Sequence, residues 1–315
     1  MRALVLALRP VVLAVAVAAL SAAGAAIAPP ASAVTVGIGD QKPATFSDPR
    51  FTALGIHYSR YTVGWDALTS DWQTAELVAW LDQARSAHVD PLISFGHSRT
   101  PGERRTLPSP ERFRYEFRRF RAMFPWVKTF ATWNEANLCG EPTCNRPELV
   151  AGYYNAIRSE CPSCKILAAE VLDMPNMTSW VKRFRRKARV EPKYWGLHNY
   201  LDVNRIRDVG TRRMLKATPP RSFIWLTETG GIVARRNRST TAGFAESTVH
   251  AAVATRWLFD RLVPLSGRIQ RVYLYHWSSS TGHDTWDSAL VNSLGKARPA
   301  LAVVKRVVTA QNAKR

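Results

Sequence analysis

The sequence predicts an α/β protein folded as a single (β/α)8 TIM barrel. Short runs rich in β-branched and aromatic residues alternate with amphipathic segments along the chain, which is typical of parallel βαβ units. Eight such runs can be counted, and eight strands close this barrel. Removing a predicted leader of 33 residues from the 315 leaves 282, close to the ~250 residues typical of the fold. We therefore expect one domain, residues 34–315.

The strand candidates are spaced so that most are followed by a segment long enough for a helix. In chain order they are VTVGIG (34–39), IHYSRYTV (56–63), PLISF (91–95), KTFATWN (128–134), KILAAEV (165–171), YWGLHNY (194–200), FIWLTE (223–228) and RVYLYHW (271–277). Residues 39–51, which follow the first strand, contain Gly, Pro and Asp and predict a loop.

Five segments between the strand candidates are amphipathic and predict the outer helices of the barrel. They are AELVAWLDQARSAH (75–88), ERFRYEFRRFRAMF (111–124), ELVAGYYNAIRSE (148–160), TSWVKRFRRKA (178–188) and STVHAAVATRWLFDRL (247–262). Strands that alternate with such helices indicate a parallel sheet.

Residues 1–33 have the composition of a secretory signal peptide. Arg2 and Arg9 precede an apolar stretch over residues 10–28, and Ala31-Ser32-Ala33 fits the small-x-small rule for cleavage. We predict cleavage after Ala33 and a secreted, extracellular protein with no membrane contact afterwards. The apolar stretch is also long enough for an uncleaved anchor, because a membrane span needs about 20 apolar residues.

The chain is strongly basic. Its formal net charge is +20, and the leader contributes only two arginines to it. A solvated surface explains this charge, and so does contact with an anionic cell wall or an acidic polysaccharide. The only support for nucleic-acid binding is this basic charge, because no recognised nucleic-acid motif accompanies it. We expect a carbohydrate partner and no nucleic acid.

The four cysteines predict two disulfides in an exported chain. Their spacing also loosely resembles a four-cysteine zinc site. If Glu135 ends a strand, Cys139 and Cys144 belong to the loop at that face, and the helix over residues 147–160 carries the chain about 20 Å away. Because disulfide partners need Cα atoms within about 7 Å, we predict the local pairs Cys139–Cys144 and Cys161–Cys164 and no metal.

Polar and aromatic side chains recur at the carboxyl ends of the predicted strands, where barrel enzymes carry their catalytic groups. Glu135 follows Trp133-Asn134 at the end of the fourth strand, and Glu228 ends the seventh. The other candidates are Arg60, His97, Asn134, His198, Tyr200 and Trp277. Two carboxylates held about 5–5.5 Å apart can serve a retaining glycosidase as proton donor and nucleophile. Glu170, near the end of the fifth strand, is a competing acid.

The order of these motifs resembles the retaining glycoside hydrolases of clan A, and within it families 5 and 39. The resemblance covers roughly residues 35–308 and is carried by Arg60, His97, Asn134-Glu135, His198-x-Tyr200, Glu228 and Trp277. The chain departs from those families after the first glutamate, where they commonly have Pro and this chain has Ala136. The resemblance implies a (β/α)8 enzyme that hydrolyses β-linked O-glycosidic bonds of a polysaccharide or oligosaccharide by double displacement, without a cofactor.

The resemblance also implies two catalytic residues, Glu135 as acid/base and Glu228 as nucleophile. Chemistry asks for the same division, because one carboxylate must attack the anomeric carbon while the other moves protons. Arg60 and Tyr200 are then expected to hold the Glu228 carboxylate.

The remaining candidates are expected to bind substrate. Asn134 would bond the sugar 2-hydroxyl, His198 would orient either carboxylate, and Trp277 would offer a flat face to the sugar ring. His97 fits the end of the third strand only approximately. Two other functions stay open at this point: a non-hydrolytic carbohydrate-binding barrel and a transglycosylase at the cell surface.

Overall fold

The predicted barrel is confirmed by the computed structural model, which describes residues 34–236, 243–280 and 285–313. The predicted leader, residues 1–33, lies outside these described residues. Eight parallel strands close into a barrel in the order β1-β2-β3-β4-β5-β6-β7-β9. They are β1 (Thr35–Gly39), β2 (Tyr58–Gly64), β3 (Asp90–Gly96), β4 (Thr129–Ala131), β5 (Lys165–Leu172), β6 (Tyr194–His198), β7 (Phe223–Thr229) and β9 (Ile269–Tyr275). Pairing of β1 with β9 over five residues closes the ring.

Three barrel strands end earlier than predicted. The fourth ends at Ala131, so Asn134 and Glu135 lie in the loop beyond it. The sixth ends at His198 instead of residue 200, and the last ends at Tyr275 instead of residue 277. A small antiparallel pair at the same face, β8 (Ala234–Arg235) and β10 (Trp286–Asp287), joins the loops after β7 and β9.

All five predicted helices are present: α2 (Asp71–Ser86), α3 (Pro110–Met123), α4 (Pro147–Glu160), α5 (Met177–Arg185) and α8 (Thr248–Trp257). A π-helical turn, Leu258–Leu262, continues α8. The sequence patterns missed α1 (Pro49–Leu54), α6 (Tyr200–Asn204), α7 (Val209–Ala217) and α9 (Pro299–Asn312). Short 3-10 helices cover Pro43–Ser47, Ala67–Thr69 and Val263–Leu265.

The expected loop over residues 39–51 is wrong in its second half. Asp48 caps α1 by accepting a hydrogen bond from the Arg50 backbone N–H at 2.9 Å, and Pro49 occupies the first helical position, where its missing N–H has no partner to lose. Local capping therefore outweighs the turn-like composition of this segment.

The core has two layers separated by the barrel wall. Inside the barrel, Leu92, Ala131, Leu167, Trp225 and Tyr273 pack together, and they are all buried. Outside it, aromatic side chains of β3, β4 and α3 interlock, and Phe95 contacts Phe113, Phe117, Phe120 and Phe130. Each fully buried Phe contributes about 1.5–3 kcal/mol relative to exposure, so these two layers fix the strand ends that carry the site.

Both predicted disulfides are confirmed. Cys139 and Cys144 are bonded with Cα atoms 4.8 Å apart, and Cys161 and Cys164 with Cα atoms 5.3 Å apart. The first pair lies in the loop after β4, and the second lies between α4 and β5.

Within the part of the chain that the structure describes, no helix combines the length and apolar character that a membrane span requires.

Candidate active site

Glu135 and Glu228 face each other across the carboxyl-terminal mouth of the barrel. Glu228 lies in β7, and Glu135 follows β4. A carboxylate oxygen of one lies within 4.8 Å of a carboxylate oxygen of the other. The side chains are 23% exposed for Glu135 and 16% exposed for Glu228. Both can therefore meet a ligand while most of each side chain is held by protein.

The backbone at Glu135 has a left-handed conformation with φ of 47°, which is uncommon for a residue with a side chain and costs about 1 kcal/mol or more. Neighbouring backbone bonds hold it there. The Asn134 N–H donates to the Phe95 carbonyl at 2.7 Å, and the Ala136 N–H donates to the Glu170 carbonyl at 2.9 Å. This turn is anchored to β3 and β5, which is how it presents Glu135 to the mouth.

Arg60 connects the two sides of the site. Its Nη1 donates to Glu228 Oε2 at 2.8 Å, and its Nη2 donates to Asn134 Oδ1 at 2.6 Å. The same guanidinium binds Glu170 at two points, Nε to Oε1 at 2.8 Å and Nη2 to Oε2 at 2.7 Å. Because Arg60 uses the amide oxygen of Asn134, the amide nitrogen is the group left to donate to a ligand.

Glu170 fits beneath Arg60 because the neighbouring strand carries a glycine. A side chain at Gly196 would place its Cβ 2.6 Å from Glu170 Cγ, closer than carbon atoms can approach. Glu170 was the competing acid of the sequence interpretation. The structure buries it completely, so it serves as the counter-charge of Arg60 below the mouth.

The charges of this cluster stabilise one another. Burial opposes the charge of Arg60, but Glu170, followed by Glu228 and Glu135, raises its pKa above its ordinary value. Burial likewise opposes ionisation of Glu170, and the charge and hydrogen bonds of Arg60 overcome this and lower its pKa. Arg60 therefore remains a cation, and Glu170 remains a carboxylate.

His198, at the end of β6, and Tyr200, at the start of α6, contact the partly exposed carboxylates of Glu135 and Glu228. His198 Nδ1 hydrogen-bonds Glu135 Oε1 at 3.2 Å and lies 4.0 Å from Glu228 Oε2. Tyr200 donates its hydroxyl to Glu228 Oε1 at 3.2 Å. Burial opposes protonation of His198, yet the Glu228 charge and the hydrogen bond to Glu135 raise its pKa. Burial and the Glu228 charge raise the pKa of Tyr200 well above its usual range, so it donates as a neutral phenol.

Two cavities of different chemistry meet at Glu135 and Glu228. The first, of about 320 Å³, is called the polar half here and is lined by Gln41, Thr62, His97, Arg99, Asn134 and Tyr275, among others. The second, of about 530 Å³, is called the apolar half. Its apolar lining residues are Leu138, Leu172, Met174, Leu201, Ile232, Phe244 and Trp286. The polar half lies above β1–β4 and β9, and the apolar half is built from the segments after β4–β7 and β9.

The chain has the fold of known glycoside hydrolases. The GH5_18 protein of Streptomyces cattleya, solved with GlcNAc, is 14% identical with a TM-score of 0.65, and the alignment covers 91% of this chain and 82% of that one. Xylanase B of Clostridium stercorarium F9 is 12% identical with a TM-score of 0.62, covering 86% of this chain and 96% of that one. A family 39 glycoside hydrolase of Bacteroides cellulosilyticus WH2 is 12% identical with a TM-score of 0.54, covering 87% and 63%. No known family profile matches the chain, and no curated protein does. The fold that the motif order implied is thereby confirmed.

Trp277, expected as a platform for a sugar ring, is not in the mouth. Its side chain is 1% exposed, its indole Nε1 donates to Asp48 Oδ2 at 2.9 Å, and its ring packs edge-on against Phe51. Because β9 ends two residues earlier than predicted, the aromatic residue at the strand end is Tyr275, which lines the polar half beside Glu228. Tyr275 was a strand-end aromatic in the sequence and could have been chosen with a correct strand end.

His97 lines the polar half but does not contact either exposed carboxylate directly. Its Nδ1 lies 2.9 Å from both carboxylate oxygens of Glu141, and its Nε2 lies 2.8 Å from Arg104 Nη1. Glu141 is buried within the loop closed by Cys139 and Cys144. Sequence patterns gave no signal for Glu141, because it lies outside every strand end.

One group of three in the described part of the chain has its ligand atoms close enough to hold a cation: Glu135, His198 and Glu228, all within 4.8 Å of one another. Arg60 lies 2.8 Å from Glu228 Oε2 and places a positive charge there. A metal ion at this position would have to compete with that guanidinium for the same oxygen.

Proposed function

We propose that the protein is a secreted retaining β-glycosidase in which Glu135 is the acid/base and Glu228 the nucleophile. The spacing of the two carboxylates carries the proposal, since an oxygen of each lies within 4.8 Å of the other. Retaining enzymes hold their carboxyl groups about 5–5.5 Å apart, whereas inverting enzymes leave about 6.5–9.5 Å for a water molecule. The fold shared with xylanase B and the GH5_18 protein supports the same reaction class.

In the first step Glu228 attacks the anomeric carbon, and the bond from that carbon to the leaving oxygen breaks. Glu135 gives its proton to that oxygen, so the leaving group departs as a neutral alcohol, and Glu228 is left as a glycosyl ester. In the second step Glu135, now a carboxylate, takes a proton from water, whose oxygen attacks the same carbon and releases Glu228. One water is consumed, and two inversions retain the configuration.

The neighbouring residues position these two groups. Arg60 and Tyr200 hold the two oxygens of Glu228, at 2.8 Å and 3.2 Å, so that its direction of attack is fixed before substrate arrives. Asn134 offers its amide nitrogen to the 2-hydroxyl, a contact that strengthens in the oxocarbenium-like transition state. His198 orients Glu135 through their 3.2 Å hydrogen bond.

Secretion is proposed from the composition of residues 1–33 and from the two disulfides, which persist in oxidising compartments. The net charge of +20 favours adhesion to an anionic cell wall. N-terminal sequencing of the protein recovered from culture medium tests this: a mature chain that begins at Val34 is expected, and a membrane-bound chain with an intact leader would contradict it.

Trapping with a 2-fluoro-sugar inactivator tests the mechanism. A panel of 2-deoxy-2-fluoro-β-glycosyl fluorides should inactivate the enzyme through one member, and peptide mapping should find the sugar on Glu228. Glu228→Ala and Glu135→Ala should each lose activity on aryl β-glycosides by three orders of magnitude or more, and azide should restore turnover of Glu135→Ala, because it attacks without a base. Glu191→Ala, which removes an exposed carboxylate, is the matched control. Equal behaviour of all four proteins on the panel would favour the non-hydrolytic binding barrel instead.

A further inference from the structure

The two halves of the mouth differ in what they offer to a ligand, although Glu135 and Glu228 line both. In the polar half, Asn134 and Arg99 carry hydrogen-bonding side chains, while both ring nitrogens of His97 are engaged with Glu141 and Arg104. In the apolar half, most of the wall consists of aliphatic and aromatic side chains. A glycosidic bond cleaved between these carboxylates has a different environment on each side.

The polar half suits the sugar ring on the anomeric-carbon side of the bond. That ring carries the 2-hydroxyl, which would be hydrogen-bonded by a residue close to the acid/base. Asn134 directly precedes Glu135 in the chain and can serve as this partner. Its amide oxygen is already bound to Arg60 at 2.6 Å, so the amide nitrogen can donate. Sugar hydroxyls keep their hydrogen bonds only where such partners surround them.

Among the described residues, the apolar half lacks such partners along most of its wall. Besides the two carboxylates and Tyr200, whose hydroxyl donates to Glu228 at 3.2 Å, three ionisable residues of the described chain line it, and two of them are engaged elsewhere. Asp173 is buried and accepts a hydrogen bond from the Asp202 backbone N–H at 2.9 Å, and Arg235 is paired with Glu246 at 2.8 Å. The third, Arg205, also has an interaction partner.

The energetics of burial separate the two kinds of leaving group. A hydroxyl buried against aliphatic side chains without a partner weakens binding about fivefold to a hundredfold, and a second sugar would bury several. An apolar group instead binds more tightly in proportion to the surface that it removes from water. A volume of about 530 Å³ lies within the roughly 300–1,000 Å³ typical of pockets that enclose a small organic molecule.

We propose that the leaving group of the substrate is an apolar, non-sugar alcohol that occupies the apolar half. The substrate class is then an amphiphilic β-glycoside, with a saccharide in the polar half and an alkyl or fused-ring aglycone against Leu172, Met174 and Trp286. This inference rests on the proposed glycosidase function and narrows its substrate from a polysaccharide or oligosaccharide. In the reaction, Glu135 protonates the aglycone oxygen, and the alcohol leaves before water enters.

The inference is tested with alkyl β-glycosides of one sugar, namely the sugar that labels Glu228. Butyl, hexyl and octyl alcohols are leaving groups of nearly equal acidity, so differences in kcat/KM report contacts between the protein and the alkyl group. We expect kcat/KM to rise about threefold to fourfold per added methylene, equivalent to about 0.8 kcal/mol per buried CH2. The β-linked disaccharide of the same sugar should be a poorer substrate than the octyl glycoside.

Two variants locate the effect. Leu172→Ser and Met174→Ser change half-buried residues and should each reduce the octyl-to-butyl ratio of kcat/KM about tenfold or more. Leu294→Ser is the matched control, because Leu294 is 77% exposed and lines neither half. Thermal unfolding of each variant shows whether a loss of activity reflects a loss of folding. A folded variant with an unchanged octyl-to-butyl ratio of kcat/KM overturns the proposal.

The outcomes separate this inference from the proposed function. Label on Glu228 with equal kcat/KM for butyl and octyl glycosides, or with the disaccharide preferred, leaves a glycosidase and overturns the apolar aglycone. If no sugar is turned over, the proposed function fails, and binding still tests the pocket. Calorimetric titration with octyl and methyl 1-thio-β-D-glucoside should show octyl binding at least tenfold tighter, and Leu172→Ser should abolish the difference. Equal binding of the two thioglucosides overturns the inference.

Discussion

Arg60 and Glu170 form a two-point ion pair inside the barrel, with Nε to Oε1 at 2.8 Å and Nη2 to Oε2 at 2.7 Å. Both side chains are buried, and the remaining nitrogen of the guanidinium holds Glu228. The fork geometry fixes the plane of the guanidinium, which a single point charge could not do. Glu170 thus acts on Glu228 through Arg60, from a position no substrate can reach.

Replacing Glu170 with Gln should both destabilise the protein and lower its activity. Removing one member of a buried pair leaves the other charge uncompensated, which costs about 3–5 kcal/mol. The reoriented Arg60 should also lower kcat by about tenfold or more, because Glu228 loses its fixed direction. Chemical denaturation and steady-state kinetics at a temperature where the variant is folded measure the two effects.

Glu191→Gln is the control for this prediction. Arg185 binds Glu191 with the same fork, Nε to Oε1 at 2.9 Å and Nη2 to Oε2 at 3.0 Å, but on the surface. An exposed pair contributes about 0–1 kcal/mol, so its loss should scarcely be detected. Similar losses from both variants would show that burial of the Arg60–Glu170 pair has no special role.

Replacing Tyr200 with Phe removes the hydroxyl that donates to Glu228 Oε1 at 3.2 Å. A hydrogen bond to a charged group contributes about 1.5–3 kcal/mol, so we expect kcat/KM to fall about tenfold to a hundredfold. Folding should change little, because the ring keeps its edge-to-face contact with Trp286. Tyr153→Phe removes a buried hydroxyl bonded to the Pro108 carbonyl at 2.7 Å and should affect stability alone. Unchanged kinetics in Tyr200→Phe would exclude a role for the phenol in holding Glu228.

Five of the eight barrel strands end within one residue of the predicted position, because β-branched runs are local features of the sequence. Glu135 and Glu228 were selected in this way as candidate catalytic residues. Trp277 was placed wrongly because its strand ends at Tyr275, two residues earlier than predicted. Its indole N–H instead donates to Asp48, which is 229 residues away in sequence and could not be identified from local patterns.

The contacts of Arg60, Tyr200 and His198 with the two carboxylates were expected, but the partners of two further carboxylates, Glu170 and Glu141, are not local and were missed. Glu170 binds Arg60 across 110 residues, and Glu141 binds His97 across 44. In each case only the closed barrel brings the partners together, and a carboxylate in a loop or within a strand has no periodic signal of its own. The burial of Glu170 also depends on the missing side chain of Gly196 on the neighbouring strand, which no spacing rule within one strand indicates.

Asp173 should make the stability of the protein depend on pH. Burial, followed by the charge of Asp202, raises its pKa to about 7 from 3.8, and Arg207 near Asp202 offsets part of this. The folded state therefore retains a proton that the unfolded chain releases, so the free energy of unfolding is highest below about pH 4 with respect to this group and falls as pH rises to about 7. The full effect is on the order of 4 kcal/mol.

Urea unfolding of wild type and Asp173→Asn between pH 4 and 8 measures this dependence. Asn keeps the oxygen that accepts from the Asp202 N–H but cannot titrate, so its profile should be flatter across the window. Asp82→Asn, an exposed carboxyl on α2, should leave the wild-type profile unchanged. Parallel profiles for wild type and Asp173→Asn would contradict the raised pKa.

The two disulfides allow stability and ligand binding to be separated. The loops they close are short, with sequence separations of 5 and 3, so loss of either should reduce stability by a similar amount, about 2 kcal/mol by loop entropy. The Cys139–Cys144 loop also carries Glu141, which holds His97 in the polar half, whereas Cys161 and Cys164 lie between α4 and β5. We therefore expect Cys139→Ser/Cys144→Ser to raise KM about threefold to tenfold, the equivalent of one lost hydrogen bond, and Cys161→Ser/Cys164→Ser to leave KM unchanged. Equal KM values in the two folded double variants would contradict this prediction. They would mean that Glu141 holds His97 in place without the Cys139–Cys144 disulfide, and that the two disulfides contribute to stability alone.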